Sequence, residues 1–327
     1  MKLLIEDALN LVVEVMKKYG HNEDYAKIIG EHVIDCELRG LTYGGLARIV
    51  SITERLERTG APNKLVETIH ETPVSARLDG HDNLGYVVAL KATEIAIEKA
   101  SKSGISLVGA NETWYTGMLS YFAEIAAARG MITIIASNAT PWVAPHGAVD
   151  GRFGTNPICF GFPSEADPAI WAIGTSSIMH AEVMLARRLG QKIGDGLAFD
   201  AAGNPTRDPE AALGGAFTPW GGHKGAGLGM IVQMLGILAG SPVEAPDLAG
   251  FGFLIIVMKP DLLMAEPEYR RKVSAYAKYV RSARPVTGRE AIRMPFERSA
   301  RVRRLRLEEN EIDVGDLVYE RLNNIIN

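Results

Sequence analysis

The sequence predicts an α/β protein made of two interleaved parts, one helical and one built on a central sheet. Three observations carry this expectation. Apolar residues recur at helical spacing over residues 3–60, short β-rich pieces alternate with helices from about residue 68, and the tail from residue 266 is helical again. No repeat or low-complexity linker separates the parts, so the tail is expected to pack back on the N-terminal helices. The division is then residues 1–68 with 266–327 for the helical part and 69–265 for the sheet part.

In the first helix Ile5, Leu9, Val12, Val13 and Met16 share a face and Gly20 closes the segment. A second helix covers residues 23–37 and ends near Arg39-Gly40. A third covers 46–59, stopped by Gly60 and Pro62. Next come a strand at 74–78, a helix at 87–101, a strand at 105–109, a helix at 117–129 and a strand at 132–137. The loop 138–156, rich in glycine and proline, is long for a compact domain, and such loops usually carry function. Strands at 157–162 and 169–174 and a helix at 176–190 follow. Residues 194–209, with Asp200, Gly203, Asn204 and Pro205, form turns. The wholly apolar run 253–258 fits a buried strand.

Of 327 residues, 47% are hydrophobic and 23% charged, an ordinary globular composition. The balance of 35 basic against 39 acidic side chains, net −4, points away from nucleic acid and from anionic membrane surfaces. Cys36 and Cys159 are too few for a disulfide framework, which suggests a reducing cytoplasm. Met1-Lys2-Leu3-Leu4-Ile5-Glu6-Asp7 turns acidic too early for a signal peptide. The apolar run 225–240 contains Gln233 and is shorter than the roughly 18 residues of a membrane span, so it reads as a buried helix.

No G-x-G-x-x-G, P-loop, H-E-x-x-H, cysteine cluster or G-x-S-x-G is present, so no metal site is expected. Pro219-Trp220-Gly221-Gly222-His223-Lys224-Gly225 opens an apolar helix. Backbone N–H groups and one ammonium can there face an anion, although a glycine-rich helix start with an exposed lysine explains the same residues. The loops 137–145 and 154–158 hold small hydrogen-bonding side chains and rigid prolines. Arg39 and Arg48 flank a glycine-containing loop. An arginine fork suits a substrate carboxylate, and exposed helix-end arginines are the commoner alternative.

Taken in order, these pieces resemble the malate/L-lactate dehydrogenase family that lacks the usual dinucleotide fold. The matching residues are Leu38-Arg39-Gly40, Gly45-Leu46-Ala47-Arg48, Ser137-Asn138, Pro141, Val143-Ala144-Pro145, Gly154-Thr155-Asn156-Pro157-Ile158, Gly221-Gly222-His223-Lys224-Gly225 and Met294-Pro295-Phe296-Glu297. The resemblance implies a homodimer holding NAD(H) or NADP(H) on a mostly antiparallel sheet. Coenzyme contacts would fall on Ser137, Asn138, Thr140, Pro141, Thr155, Asn156, Gly174, Thr175, Ser176, His223, Lys224, Gly225, Pro295, Phe296 and Glu297.

The chain departs from its family where the proton is handled. The family's Ser-His-Gly is Tyr43-Gly44-Gly45, so Gly44 replaces the proton-donating histidine, and a second histidine aligns with Tyr115. An aspartate is lost at Ala172-Ile173-Gly174-Thr175, and a Gly-Lys pair becomes Ala181-Glu182. A positioned acid contributes typically 10²–10⁴-fold to such a reaction. Tyr43 and Tyr115 are the nearest substitute donors, with packing roles as the alternative. His146 and His180 are further candidates, with surface placement as theirs. A cyclic iminium already carries its proton, so imine reduction is the leading specific expectation. Arg48 and Arg39 would take the carboxylate beside Gly44, and Glu182 would stabilise the cation. A 2-hydroxy acid dehydrogenase with a substitute donor, or an inactive nucleotide-binding member, are the alternatives. Arg298, Arg301, Arg303, Arg304 and Arg306 read as a solvated helix face from which one arginine reaches a 2′-phosphate.

Overall fold

A computed structural model describes residues 1–326. After the short strand β1 (Lys2–Leu4), α1 (Ile5–Lys18) places Glu6 and Asp7 in its first turn and Lys17 and Lys18 in its last, complementing the helix dipole. The next helix, α2 (Glu23–Leu38), starts where the Asn22 side chain accepts from Tyr25 N at 2.8 Å. In turn α3 (Leu46–Thr59) ends at Gly60, whose φ of 76° only glycine adopts readily. Their apolar faces bury Val12, Met16, Ile29, Val33, Ile49 and Ile52 together.

The sheet part contains β2 (Glu67–Glu71), β3 (Ser75–Leu84), α4 (Gly85–Ser103), β4 (Ile105–Trp114), α5 (Leu119–Ala127), β5 (Ile132–Ser137), β6 (Ile158–Phe162), β7 (Ala169–Ile173) and α6 (His180–Arg188). It continues through β8 (Ala198–Phe199), β9 (Pro205–Thr206), α7 (Pro209–Leu213), β10 (Ala216–Phe217), α8 (His223–Leu238) and β11 (Phe251–Met258). Seven strands pair in the order β2-β3-β4-β11-β5-β6-β7. Only β3 and β4, joined across α4, run parallel, so the sheet is mostly antiparallel as expected. The apolar strand β11 lies between β4 and β5. Helices α4 and α5 cover one face through Val88, Ala92, Phe122 and Ala126, while α8 lies on Ala136 and Ile158 of the other.

Four details differ from expectation, each for a local reason. The strand β2 carries Glu67, His70 and Glu71 and is exposed throughout, so it has no apolar alternation to read; charged edges resist pairing with other chains. Helix α5 begins two residues late, because Gly117 has φ 75° and a Cβ there would lie 2.3 Å from His32 Nε2. Before α6, Ser176 Oγ donates to Ile178 O at 2.6 Å and keeps that stretch in a turn. Finally, α8 is buried on one side only. Met230, Ile231, Met234, Ile237 and Leu238 are exposed, which corrects the expectation of a buried helix. Among the described residues no helix is long and apolar enough to cross a membrane.

The tail forms α9 (Glu266–Arg281), α10 (Glu297–Glu309), β12 (Glu311–Asp313) and α11 (Asp316–Ile326). It packs in two places. In α9, Arg270 Nε donates to Ser164 O at 2.8 Å and Ser274 Oγ accepts from Glu165 N at 3.0 Å, against the loop after β6. Further on, β12 pairs with β1, α10 lies on α2, and α11 lies on α1 and α3.

Phe253 is fully buried on β11 against Phe122, with ring centroids 5.8 Å apart. Phe253→Ala is expected to cost about 3–5 kcal/mol, read as a lower urea midpoint.

Candidate active site

A cavity of about 800 Å³ opens where α2, α3 and the 293–299 segment meet the ends of β4, β5 and β7. Its floor is set by α3. The buried Glu37 carboxylate accepts from Leu46 N at 2.7 Å and so fixes the start of that helix. A Cβ on Gly45 would lie 2.0 Å from Glu37 Oε1, so no larger residue fits there. Two residues into α3, Arg48 is only 9% exposed, and its Nη1 has no hydrogen-bond partner. No carboxylate pairs with it among the described residues. Its guanidinium carbon sits 4.3 Å from the centre of the Tyr115 ring, a cation–π contact.

Two phenols flank this cation. Tyr43 lies in the tight turn Thr42–Gly44, and burial pushes its pKa up to about 12 against the opposing pull of Arg48 and Arg298. Tyr115, with φ 48°, is raised by burial in the same way. Both therefore keep their protons at neutral pH and act as hydrogen-bond donors. His180, the first residue of α6, stacks on Trp142 at 3.9 Å and 9°. Burial, with Arg48, Arg187 and Arg188 nearby, pushes its pKa down to about 3, so its imidazole is neutral.

Of the other candidate residues, Gly44, Ser137, Asn138, Thr155, Gly174, Pro295 and Phe296 line the cavity. Ser137 Oγ accepts from Thr116 Oγ1 at 2.9 Å and donates to Gly252 O at 3.1 Å. Asn138 joins β11 to the turn after α8, accepting from Gly252 N at 2.6 Å and donating to Ser241 Oγ at 2.9 Å. Phe296 holds φ 75°, strained for an aromatic residue, with the Arg39 guanidinium 4.6 Å above its ring.

The remainder lie off the cavity. Arg39, expected to bind substrate, is 3% exposed and ion-paired away from the cavity lining: Nε meets Asp35 at 2.6 Å and Nη2 meets Glu124, while its buried Nη1 has no partner. Its charge is already answered, and its contact is with Phe296. Glu182 caps α6 by accepting from Met179 N at 2.8 Å. His146 is exposed, 6.1 Å from the ring of His223. His223, Lys224 and Gly225 form the first turn of α8 away from the lining. Thr140 Oγ1 donates to Pro246 O at 2.9 Å, Asn156 Nδ2 to Gly229 O at 2.8 Å, and Thr175 Oγ1 to Thr155 O at 3.2 Å. Pro141 and Ser176 shape turns, and Glu297 pairs with Arg281. The expected solvated face of α10 holds for Arg298, Arg301 and Arg304, which are exposed, Arg304 while paired with Asp167 at 3.0 Å. It does not hold for Arg303, which reaches Asp35 at 2.5 Å, or for Arg306, which donates to Glu37 O.

Tyr86, Trp171 and Met179 line the cavity without having been expected there from sequence, Arg298 of the basic run lines it too, and Trp142 contributes the stacking face under His180. Only Trp142 carried a signal, standing inside the long loop.

A family description, malate/L-lactate dehydrogenase, matches residues 4–323. The chain belongs to the malate/L-lactate dehydrogenase family. It is therefore an oxidoreductase of that family. The L-sulfolactate dehydrogenase of Methanocaldococcus jannaschii is 32% identical over 98% of this chain and 95% of that protein. A Δ1-pyrroline-2-carboxylate/Δ1-piperideine-2-carboxylate reductase of Pseudomonas putida is 30% identical over 69% of this chain and 67% of that protein. A dehydrogenase structure from Sinorhizobium meliloti superposes with TM-score 0.92 at 27% identity, covering 100% of this chain and 98% of that one. A nicotinamide coenzyme, which this family implies, suits the cavity. About 800 Å³ accommodates a coenzyme end and a small acid, and the orphaned Arg48 Nη1 and His180 Nδ1 await polar partners.

Burial also lowers His21 and His32, each to about 4, as it lowers His180 to about 3. Below pH 6.5 the unfolded chain takes up protons that these folded imidazoles refuse, so stability falls as pH drops. Glu37, raised to about 7, opposes this; its contribution is full at low pH and is lost as pH rises through 7. The urea midpoint is expected to fall from pH 6.5 to 4, and more shallowly in His180→Phe, which keeps the stack on Trp142.

Proposed function

We propose that the chain is an NAD(P)-linked oxidoreductase of a small carboxylate, interconverting a 2-oxo acid and its 2-hydroxy acid with a phenol in place of the usual imidazole. One observation carries the reading: a buried, unpaired arginine at a cavity lined by neutral donors. Arg48 binds the carboxylate, since an anion is what its Nη1 lacks. A nicotinamide, when bound, supplies or accepts the hydride. Tyr43 holds its proton toward the reacting oxygen, and Tyr115 keeps Arg48 in place beneath it. Arg48 and the phenols together favour negative charge growing on that oxygen. Trp142 and His180 close the site to water on one side.

Cyclic imine reduction is the second reading. It is favoured by the lack of any acid group that titrates near neutrality on the lining, and by the likeness to the Pseudomonas putida reductase. It ranks second because no carboxylate lines the cavity to offset an iminium cation, and Glu182 is engaged as a helix cap. We also propose a homodimer joined through the exposed apolar face of α8, and the interleaved division at residues 68 and 265. Sedimentation velocity is expected to give a mass near twice 35.4 kDa.

Fluorescence titration with NADH and NADPH is expected to show binding of at least one. Tyr43→Phe should lower kcat for 2-oxo acids by about 10²-fold with little change in KM. Arg48→Ala should lower kcat/KM by about 10²–10³-fold. Higher kcat/KM with pyrroline- or piperideine-2-carboxylate than with 2-oxo acids would overturn the first reading in favour of the second.

A further inference from the structure

His32, on α2, is 1% exposed and lies outside the cavity lining. Its ring is enclosed by three others, stacked on Tyr86 at 4.1 Å, tilted against Tyr121 at 4.8 Å and stacked on Phe122 at 5.5 Å. A phenyl ring would fill that space as well. What the imidazole adds is one acceptor: Nε2 takes the Met118 N–H at 3.0 Å, while Nδ1 has no partner. Burial pushes its pKa down to about 4, so the ring is neutral and its proton sits on Nδ1.

The N–H that His32 accepts ends a turn on the cavity wall. Tyr115, Thr116, Gly117 and Met118 all line the cavity, and two of them hold positive φ, Tyr115 at 48° and Gly117 at 75°. Such a backbone persists only where its surroundings fix it. The pairing of β4 with β3 ends at Trp114. Beyond it, Thr116 Oγ1 donates to Ser137 Oγ at 2.9 Å and Met118 N donates to His32, one anchor from β5 and one from α2. The turn begins with the ring that lies 4.3 Å from the Arg48 guanidinium.

We propose that His32 is a positioning residue: from α2 it pins the turn Tyr115–Met118 and thereby holds the Tyr115 ring against Arg48. This rests on the reading of Arg48 as the carboxylate anchor. The test is the calorimetric Kd of oxamate, a carboxylate isosteric with a small 2-oxo acid, on the enzyme–coenzyme complex. His32→Phe keeps the stack and removes the acceptor, and is expected to weaken oxamate about tenfold with the coenzyme Kd within twofold. His32→Gln, which returns an acceptor near the Nε2 position, should restore most of the loss. In an Arg48→Ala background His32→Phe should change the oxamate Kd less than twofold, because the two residues act as one unit. Equal weakening in both backgrounds marks general loosening and overturns the proposal. No effect of His32→Phe where Arg48→Ala weakens oxamate overturns it while leaving the anchor reading intact. No effect of Arg48→Ala overturns both. Should His32→Phe fail to fold, the wild type still decides: the Met118 amide is expected to exchange slowly with deuterium, and more slowly with oxamate bound, since coupling is reciprocal. Fast exchange, or exchange that oxamate leaves unchanged, overturns the proposal.

Discussion

A buried guanidinium without a counter-ion is the constraint around which this molecule is arranged. Charges removed from water are usually paired, because desolvation otherwise costs several kcal/mol. Arg48 is held instead by the face of Tyr115 and by the rigid start of α3; its side chain lines the cavity, and its buried Nη1 has no hydrogen-bond partner. Glu37 beneath Leu46 and the clamp of Arg55 on Asp82, 2.5 Å apart, keep that helix against the sheet part. Were α3 free to shift, the arginine would find water and the site would lose its anchor.

The second organising element is a belt of ion pairs that ties the tail to the cavity rim. Asp35 on α2 accepts from both Arg39 and Arg303, and Arg39 continues to Glu124 and over Phe296. The strained backbone at Phe296 persists because the surrounding contacts over-determine it. The rim segment 293–299 thus takes its place from residues far off in sequence, and Arg298 faces the cavity as a result.

The chemistry of the pocket follows from burial more than from residue identity. The same exclusion of water keeps Tyr43 protonated and His180 neutral. A site with such groups donates hydrogen bonds without carrying a mobile charge of its own, and the fixed arginines supply the field. The pocket is thereby polar and directional without a side chain that titrates near neutrality.

By itself the sequence determined what neighbours in the chain decide. Helix 46–59 and strand 132–137 fall where spacing, glycine and proline put them, and the ordered loops 137–145 and 154–158 reveal the family. Their signals are local: periodicity, caps and backbone conformation depend on residues within a few positions. What only the tertiary structure decided is which partner each charged or apolar side chain meets. Arg39 looked like a substrate ligand until Asp35 and Glu124 answered its charge. Arg303 looked like solvated surface until Asp35 met it, and α8 kept one apolar face uncovered. Those outcomes rest on contacts between residues as far apart as Asp35 and Arg303, and pairing at such separation leaves no trace in local pattern.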